Sequence, residues 1–182
     1  MLDFSKNYFE LFGLPVGYII DVDKLAERFR ELQRVVHPDR YANAPDHERR
    51  LSMQGATRIN EAYQTLKDPI RRAHYLLSLH GIDSDVEKET TRDTDFLMEQ
   101  LELREQLEAA RHQPDPYAAI NALVSDINQR ITSLVGQMAL QFESATPEQL
   151  EDAREILRKM QFLQKFRHDA DALEAELDES LQ

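Results

Sequence analysis

The chain has 182 residues, enough for one or two domains with hydrophobic cores of their own. It contains no cysteine, which excludes disulfides, thiol catalysis and cysteine-ligated zinc or iron–sulfur clusters within the chain. Its formal net charge of −12 repels nucleic acid phosphates and anionic lipid headgroups, so neither nucleic acid nor a membrane is an expected partner.

This charge is divided unevenly along the sequence. Residues 1–78 hold 12 Lys and Arg against 11 Asp and Glu, whereas residues 79–182 hold 10 against 23. A nearly neutral part joined to a strongly acidic part indicates two domains with different partners. No apolar run approaches the roughly 20 residues of a membrane helix, and the mixed N-terminus is unlike a signal or transit peptide. We therefore expect a cytoplasmic protein.

The first part of the chain has the apolar spacing of helices and little β-branched alternation. The predicted elements are a short apolar segment before Pro15, a helix over about 22–36 with Asp21 as N-cap, a helix over about 46–66, and a short helix from Arg72 to Leu79 followed by Gly81. The two longer helices are expected to pack as an antiparallel pair.

The second part is predicted to follow a polar linker at 81–92 and to consist of three helices. They span about 93–111, about 117–142, and about 147–178, where Thr146 and Gln149 form a capping-box pattern around Pro147. The fold class is therefore all-α. It comprises an N-terminal domain of residues 1–80, in which short helices cover an antiparallel pair, and a C-terminal three-helix bundle of residues 93–182.

The connection between the two antiparallel helices contains His37-Pro38-Asp39. Proline fixes its own φ and restrains the residue before it, so the connection is expected to hold one shape and to display an imidazole and a carboxylate. A displayed carboxylate suits a bidentate pairing with an arginine of a partner protein. The alternative is an ordinary turn, because turns favour proline and aspartate.

The surrounding sequence resembles a J-domain. The motifs that carry the resemblance are Tyr8-Phe9-Glu10-Leu11-Phe12-Gly13-Leu14, the His37-Pro38-Asp39 loop, and Ile59-Asn60-Glu61-Ala62-Tyr63-Gln64-Thr65-Leu66 followed by Lys67-Asp68-Pro69. The resemblance implies that the loop and the basic face of the preceding helix dock on a DnaK-like chaperone and stimulate its ATP hydrolysis.

The basic face of that helix is thinner than in many J-domains. Arg28, Arg30 and Arg34 remain, while Ala26 and Glu31 stand where other J-domains carry positive charge. The resemblance assigns the three arginines to chaperone binding, and the thin surface favours a dedicated chaperone over the general one. A merely solvated charged face is the alternative.

The predicted helix over 93–111 has a second apolar face in addition to its core face. With about 100° per residue, Phe96, Leu103 and Leu107 form one stripe, and a separate strip lies roughly opposite. That strip combines apolar and acidic side chains: Leu97, Met98 and Leu101 with Glu102 and Glu105. Such a strip either packs on another helix of the bundle or remains exposed as a partner site.

The same region resembles the HscB-type J-proteins of iron–sulfur cluster assembly. The matching residues are Arg72-Ala73-His74-Tyr75-Leu76-Leu77-Ser78-Leu79-His80-Gly81, Arg92-Asp93-Thr94 and the run from Phe96 to Glu105. This family implies two partners, an HscA-type DnaK-like chaperone and the cluster scaffold IscU. It assigns scaffold binding to Leu97, Met98, Leu101, Glu102, Glu105 and Phe162, and it implies no cofactor or metal in this chain.

Two other classes of protein are alternatives. An enzyme is not favoured, because the six histidines show no metal-ligand spacing and the chain has no phosphate-binding loop or nucleophile motif. A J-protein of general proteostasis would bind unfolded chains through its bundle. The carboxylates around Leu97 and Leu101 favour a specific folded client instead.

Overall fold

The computed structural model describes residue 3 and residues 5–41, 44–83 and 93–180. Residues 84–92, which hold most of the predicted linker and Arg92 of the family motif, lie outside the described residues. The chain divides into two compact units, Met1–Gly81 and Ile82–Gln182. The described part of both units is built from helices, which confirms the all-α prediction.

The described residues of the first unit form four α-helices and one turn of 3₁₀ helix. These are α1 (Tyr8–Phe12), α2 (Val22–Val36), the 3₁₀ turn (Pro38–Tyr41), α3 (Asp46–Lys67) and α4 (Pro69–Leu79). Asp21 caps α2 as predicted, because its carboxylate accepts a hydrogen bond from the Lys24 amide. Gly13 ends α1 with a φ of 64°, a left-handed conformation that favours glycine.

Helix α4 begins three residues earlier than the sequence suggested. Proline at position 69 is well suited to the first turn of a helix, because it needs no amide partner there. Asp68 serves both helices. It ends α3 in an extended conformation, and its carboxylate accepts hydrogen bonds from the Ile70 and Arg71 amides at 2.9 and 2.8 Å.

The core of the first unit lies between α1, α2, α3 and α4. Its fully buried side chains include Phe9, Phe12, Leu25, Ile59 and Leu66. The rings of Phe29 on α2 and Tyr63 on α3 stack with centroids 4.0 Å apart, which fixes the antiparallel register of the pair. The stacked rings hold together the two helices that the 37–39 segment connects.

A buried arginine connects the segment before α2 to the α3–α4 corner. Arg72 donates a hydrogen bond of 2.7 Å to the Leu66 carbonyl oxygen, and its guanidinium carbon lies 4.8 Å from the Tyr18 ring centroid. Burial raises the pKa of Tyr18 to about 12, against an opposing effect of Arg72.

The second unit is a three-helix bundle of unequal helices. They are α5 (Thr94–Ala110), α6 (Pro116–Ser144) and α7 (Pro147–Ser180). The predicted capping box of α7 is present, since Thr146 and Gln149 exchange side chain–backbone hydrogen bonds of 3.1 and 3.3 Å. Asp93 caps α5 by accepting from the Phe96 amide at 3.0 Å.

Helix α5 contributes only a narrow line of side chains to the core of this bundle. Its buried residues are Phe96, Leu103 and Ala110, which recur at intervals of seven. Leu103 packs in one cluster with Ile127, Leu163 and Phe166, and Ala110 in a second cluster with Ile120, Ala170 and Leu173. Because the line is narrow, most of the circumference of α5 remains outside the core.

Candidate functional site

The 37–39 loop is held from both sides at the end of α2. His37 follows α2 with a φ of −58° and a ψ of 129°, the extended conformation expected before proline. The Arg40 guanidinium donates to the Arg34 carbonyl oxygen at 3.2 Å, and the Ser52 hydroxyl donates to the Val36 carbonyl oxygen at 2.7 Å. Two of the last carbonyls of α2 thereby gain a hydrogen-bond partner.

This arrangement leaves the imidazole and the carboxylate of the loop on the surface. The side chains of His37 and Asp39 are 57% and 91% exposed. The Asp39 amide donates to His37 Nδ1 at 3.3 Å, and the Asp39 carboxylate lies 3.6 Å from the same nitrogen. The Asp39 carboxylate is thus displayed at the surface, where an arginine could reach it.

The three predicted basic residues of α2 differ in what they contact. Arg28 donates to the Glu31 carboxylate at 2.7 Å and to the Phe12 carbonyl oxygen at 3.4 Å, so it connects α2 to the end of α1. Arg30 and Arg34 are exposed, and neither guanidinium has an ion-pair partner among the described residues. Both remain available to a partner, as does the exposed Lys24 in the first turn of α2.

The second predicted surface is exposed on α5. Leu97, Met98 and Leu101 retain 39%, 57% and 57% of their accessible surface, and Glu102 and Glu105 are exposed beside them. The strip therefore does not pack inside its own bundle. We refer to these five residues as the α5 strip. Contiguous exposed apolar side chains of this kind mark interaction sites more often than isolated ones do.

Phe162, on α7, lies on the core side of α5 beside Phe96. Its ring meets Phe96 edge-on with centroids 5.6 Å apart, and it packs against the cluster around Leu103. It is half-buried. The guanidinium carbon of Arg104, a residue that the sequence analysis did not single out, lies 5.7 Å from the Phe162 ring centroid.

Charged contacts hold the first turns of α5 against the other two helices. The Asp93 carboxylate lies 3.0 Å from Lys159 Nζ on α7, and the Lys159 ammonium lies 5.5 Å from the Phe96 ring centroid. On α6, Arg130 pairs with Glu99. Two hydrogen bonds to the Asp93 carboxyl lower its pKa; the one from the Phe96 amide has the larger effect, and the one from Lys159 the smaller. These contacts fix the position of the α5 strip.

The described residues contain no group of three or more His, Cys, Asp or Glu side chains arranged to hold a metal ion. None of the helices in the described ranges is both long enough and apolar enough to cross a bilayer.

Comparisons with known proteins place each unit in a family. Residues 7–75 match the model of the DnaJ domain, and residues 92–171 match the model described as the HSCB C-terminal oligomerisation domain. Chaperone HscB from Vibrio cholerae is 40% identical, with a TM-score of 0.82 and with 94% of this chain and 99% of that chain covered.

Two further solved structures are similar. Human co-chaperone HscB is 30% identical, with a TM-score of 0.80, and the match covers 93% of this chain and 83% of the human one. The Jac1 co-chaperone from Saccharomyces cerevisiae is 22% identical, with a TM-score of 0.69 and with 92% and 96% covered, and it supports the fold alone.

A J-domain followed by a helical domain of this type defines a J-protein co-chaperone. The chain belongs to the HscB family of J-domain co-chaperones of iron–sulfur cluster assembly, which confirms the predicted resemblance. A J-domain implies a DnaK-like chaperone as partner, and the role of the chain toward that partner is regulatory.

Proposed function

We propose that this co-chaperone stimulates the ATPase of an HscA-type DnaK-like chaperone through His37, Pro38 and Asp39, and that it delivers an IscU-type iron–sulfur scaffold to that chaperone through the α5 strip and Phe162. The observation that carries the proposal is the presence of two exposed, chemically different surfaces, one on each unit. One is a charged loop stiffened by its neighbours, and the other is an apolar strip edged by carboxylates.

The chaperone surface is supported by the geometry of the loop. The Asp39 carboxylate is 91% exposed, while the backbone beneath it is anchored by Arg40 and Ser52. Because the backbone is anchored, little backbone conformational entropy is lost when an arginine of the chaperone binds the carboxylate. Arg30 and Arg34 add an unpaired positive face, which suits an acidic surface on the partner. Arg28 contributes indirectly, because it fixes α2 on α1.

The scaffold surface is supported by the composition of the α5 strip. Three large apolar side chains are exposed on one helix face, next to Glu102 and Glu105. Covering the apolar groups supplies binding energy, and the carboxylates select a partner with positive charge around an apolar centre. An unfolded chain does not require that arrangement, whereas a folded client does.

The two surfaces contribute two separate effects when both partners are bound. A co-chaperone that holds scaffold and chaperone at once raises the effective concentration of the client at the chaperone. The 37–39 loop meanwhile favours the hydrolysis-competent conformation of the ATPase. ATP hydrolysis and the cluster ligands belong to the partners, so the chain itself needs neither a catalytic residue nor a cofactor. We assign the protein to the cytoplasm, as expected from its sequence.

A co-capture experiment tests this proposal. The immobilised full-length protein is mixed with a purified IscU-type scaffold and a purified HscA-type ATPase in the presence of ATP. We expect both proteins to be retained together, and the ATPase rate to rise further when scaffold is present. A reduced, unfolded model protein serves as the comparator. Retention of the unfolded protein without retention of the scaffold would favour general proteostasis and refute the scaffold assignment.

A further inference from the structure

The backbone amides that follow α2 are engaged inside the 37–39 loop. At the C-terminus of a helix the last carbonyl groups have no partner within the helix, and they need donors from elsewhere. Pro38 carries no amide hydrogen. The Asp39 amide donates to His37 Nδ1 at 3.3 Å, and the Arg40 amide donates to the His37 carbonyl oxygen at 3.0 Å. The last carbonyl groups of α2 therefore depend on side-chain donors.

Three side chains supply these donors, and one of them comes from another helix. Arg40 and Tyr41 belong to the connection itself, and their side chains lie 3.2 and 3.4 Å from two carbonyl oxygens of α2 at the surface. Ser52 lies on α3 and is 5% exposed, and its hydroxyl donates to the Val36 carbonyl oxygen at 2.7 Å. This bond is the shortest of the three and is shielded from water, so its loss leaves a buried acceptor without its donor.

The Ser52 hydroxyl points away from its own helix. A serine or threonine inside a helix often donates to the carbonyl group four residues earlier. Thr57 on α3 does so, with its hydroxyl 3.0 Å from the Met53 carbonyl oxygen. Ser52 donates instead to α2, at the residue directly before His37. The hydrogen bond thus connects α3 to the start of the 37–39 loop.

We infer that Ser52 is a positioning residue for ATPase stimulation by the 37–39 loop. The carbonyl group that accepts its hydrogen bond belongs to the same planar peptide unit as the His37 nitrogen. Holding the oxygen of this unit therefore sets the direction in which the loop leaves α2. Because a displacement of about 1 Å in a positioned group can cost a large factor in rate, the bond holds the His37 imidazole and the Asp39 carboxylate where they stimulate the chaperone. The inference rests on the proposed function.

Two substitutions remove or weaken this bond with little change in volume. Ser52→Ala removes the hydroxyl, and Ser52→Cys keeps a side chain of similar shape with a much weaker donor. Thr57→Ala is the matched control, because it removes a hydroxyl of α3 that bonds within its own helix. Ile59→Val is the stability control, since it deletes one buried carbon from the same core about two turns further along α3. Thermal unfolding of every full-length variant shows whether the fold is retained.

Each variant is titrated into a purified HscA-type ATPase, which gives the maximal stimulated rate and the half-saturating concentration. We expect Ser52→Ala to lower the maximal stimulation about tenfold and Ser52→Cys to lower it less. The half-saturating concentration should stay within about twofold of the parent value, because Arg30 and Arg34 still present their charges to the chaperone. Thr57→Ala and Ile59→Val are expected to stimulate like the parent.

Amide hydrogen exchange supplies a readout that stability alone does not change. The Arg40 amide bonds to the His37 carbonyl oxygen, so it reports whether the loop keeps its shape. We expect this amide to exchange faster in Ser52→Ala than in Ile59→Val when both proteins are folded.

The outcomes separate this inference from the proposed function. If the parent stimulates the ATPase and folded Ser52→Ala reaches the same maximal rate, the inference is overturned and the proposed function stands. The same conclusion follows if Ile59→Val loses as much stimulation, if only the half-saturating concentration changes, or if neither Ser52 variant folds. If the parent itself gives no stimulation, the proposed function fails, and the inference fails with it.

Discussion

Truncation of the two leucines of the α5 strip is expected to weaken scaffold binding without unfolding the bundle. Leu97 and Leu101 are 39% and 57% exposed, so together they present about the surface of one fully exposed leucine. Full burial of a leucine side chain is worth about 1.5–3 kcal/mol. If the scaffold covers both residues, Leu97→Ala combined with Leu101→Ala raises the Kd by about 10- to 150-fold.

Two further substitutions on the same bundle calibrate this experiment. Leu140 on α6 is 58% exposed, so Leu140→Ala removes a comparable exposed side chain away from the α5 strip and is expected to leave the Kd unchanged. Leu103 is 2% exposed, so Leu103→Ala is expected to lower the free energy of unfolding by about 2–5 kcal/mol.

The assay combines calorimetric titration of the scaffold with far-UV circular dichroism during thermal unfolding. The double variant should retain its helical signal and a melting temperature well above that of Leu103→Ala. An unchanged Kd in the double variant would show that the α5 strip does not contact the scaffold. Loss of helical signal at room temperature would show that the strip stabilises the bundle.

Three further predictions concern the supports of the two surfaces. Burial raises the Tyr18 pKa from 10.0 to about 12. The stability contributed by neutral Tyr18 is therefore complete below pH 10 and is lost as the pH rises through 12. In urea unfolding, the free energy of unfolding of Tyr18→Phe should fall less at alkaline pH than that of the parent. Loss of the α5 cap in Asp93→Ala should cost about 1 kcal/mol and increase amide exchange in the first turn of α5, and Asp93→Ser should restore most of the protection. Arg34→Ala should lower the affinity for the chaperone and make that affinity less dependent on salt, because one exposed positive charge is removed. Arg28→Ala should instead lower the melting temperature of the J-domain, because Arg28 connects α2 to α1. The reverse pattern would contradict the roles assigned to the two arginines.

Local sequence patterns predicted most helices, because the residues that begin and end them act locally. Asp21 and Gly13 perform the capping expected of their residue types. The start of α4 was missed because a proline both ends one helix and begins the next, and only the conformation of Asp68 decides between these roles. The turn of 3₁₀ helix after His37 likewise depends on contacts that Arg40 makes with α2.

The positions of the candidate site residues were predictable from the sequence, but their side-chain contacts with other helices were not. Helical periodicity placed Leu97 and Leu101 off the core face, and the structure leaves both exposed. Periodicity does not report which side chains meet across helices. The engagement of Arg28 by Phe12 and the position of Arg104 over Phe162 both depend on tertiary packing. Only the packed structure separates the available arginines from those used internally.

The central claim is that the 37–39 loop and the α5 strip serve different partners independently. The most direct test is His37→Gln in the full-length protein, with two measurements on one preparation: stimulation of the HscA-type ATPase and the Kd for the scaffold. We predict that stimulation falls to the basal rate while the Kd stays within about twofold of the parent value. Undiminished stimulation, or scaffold binding lost together with stimulation, would contradict the claim.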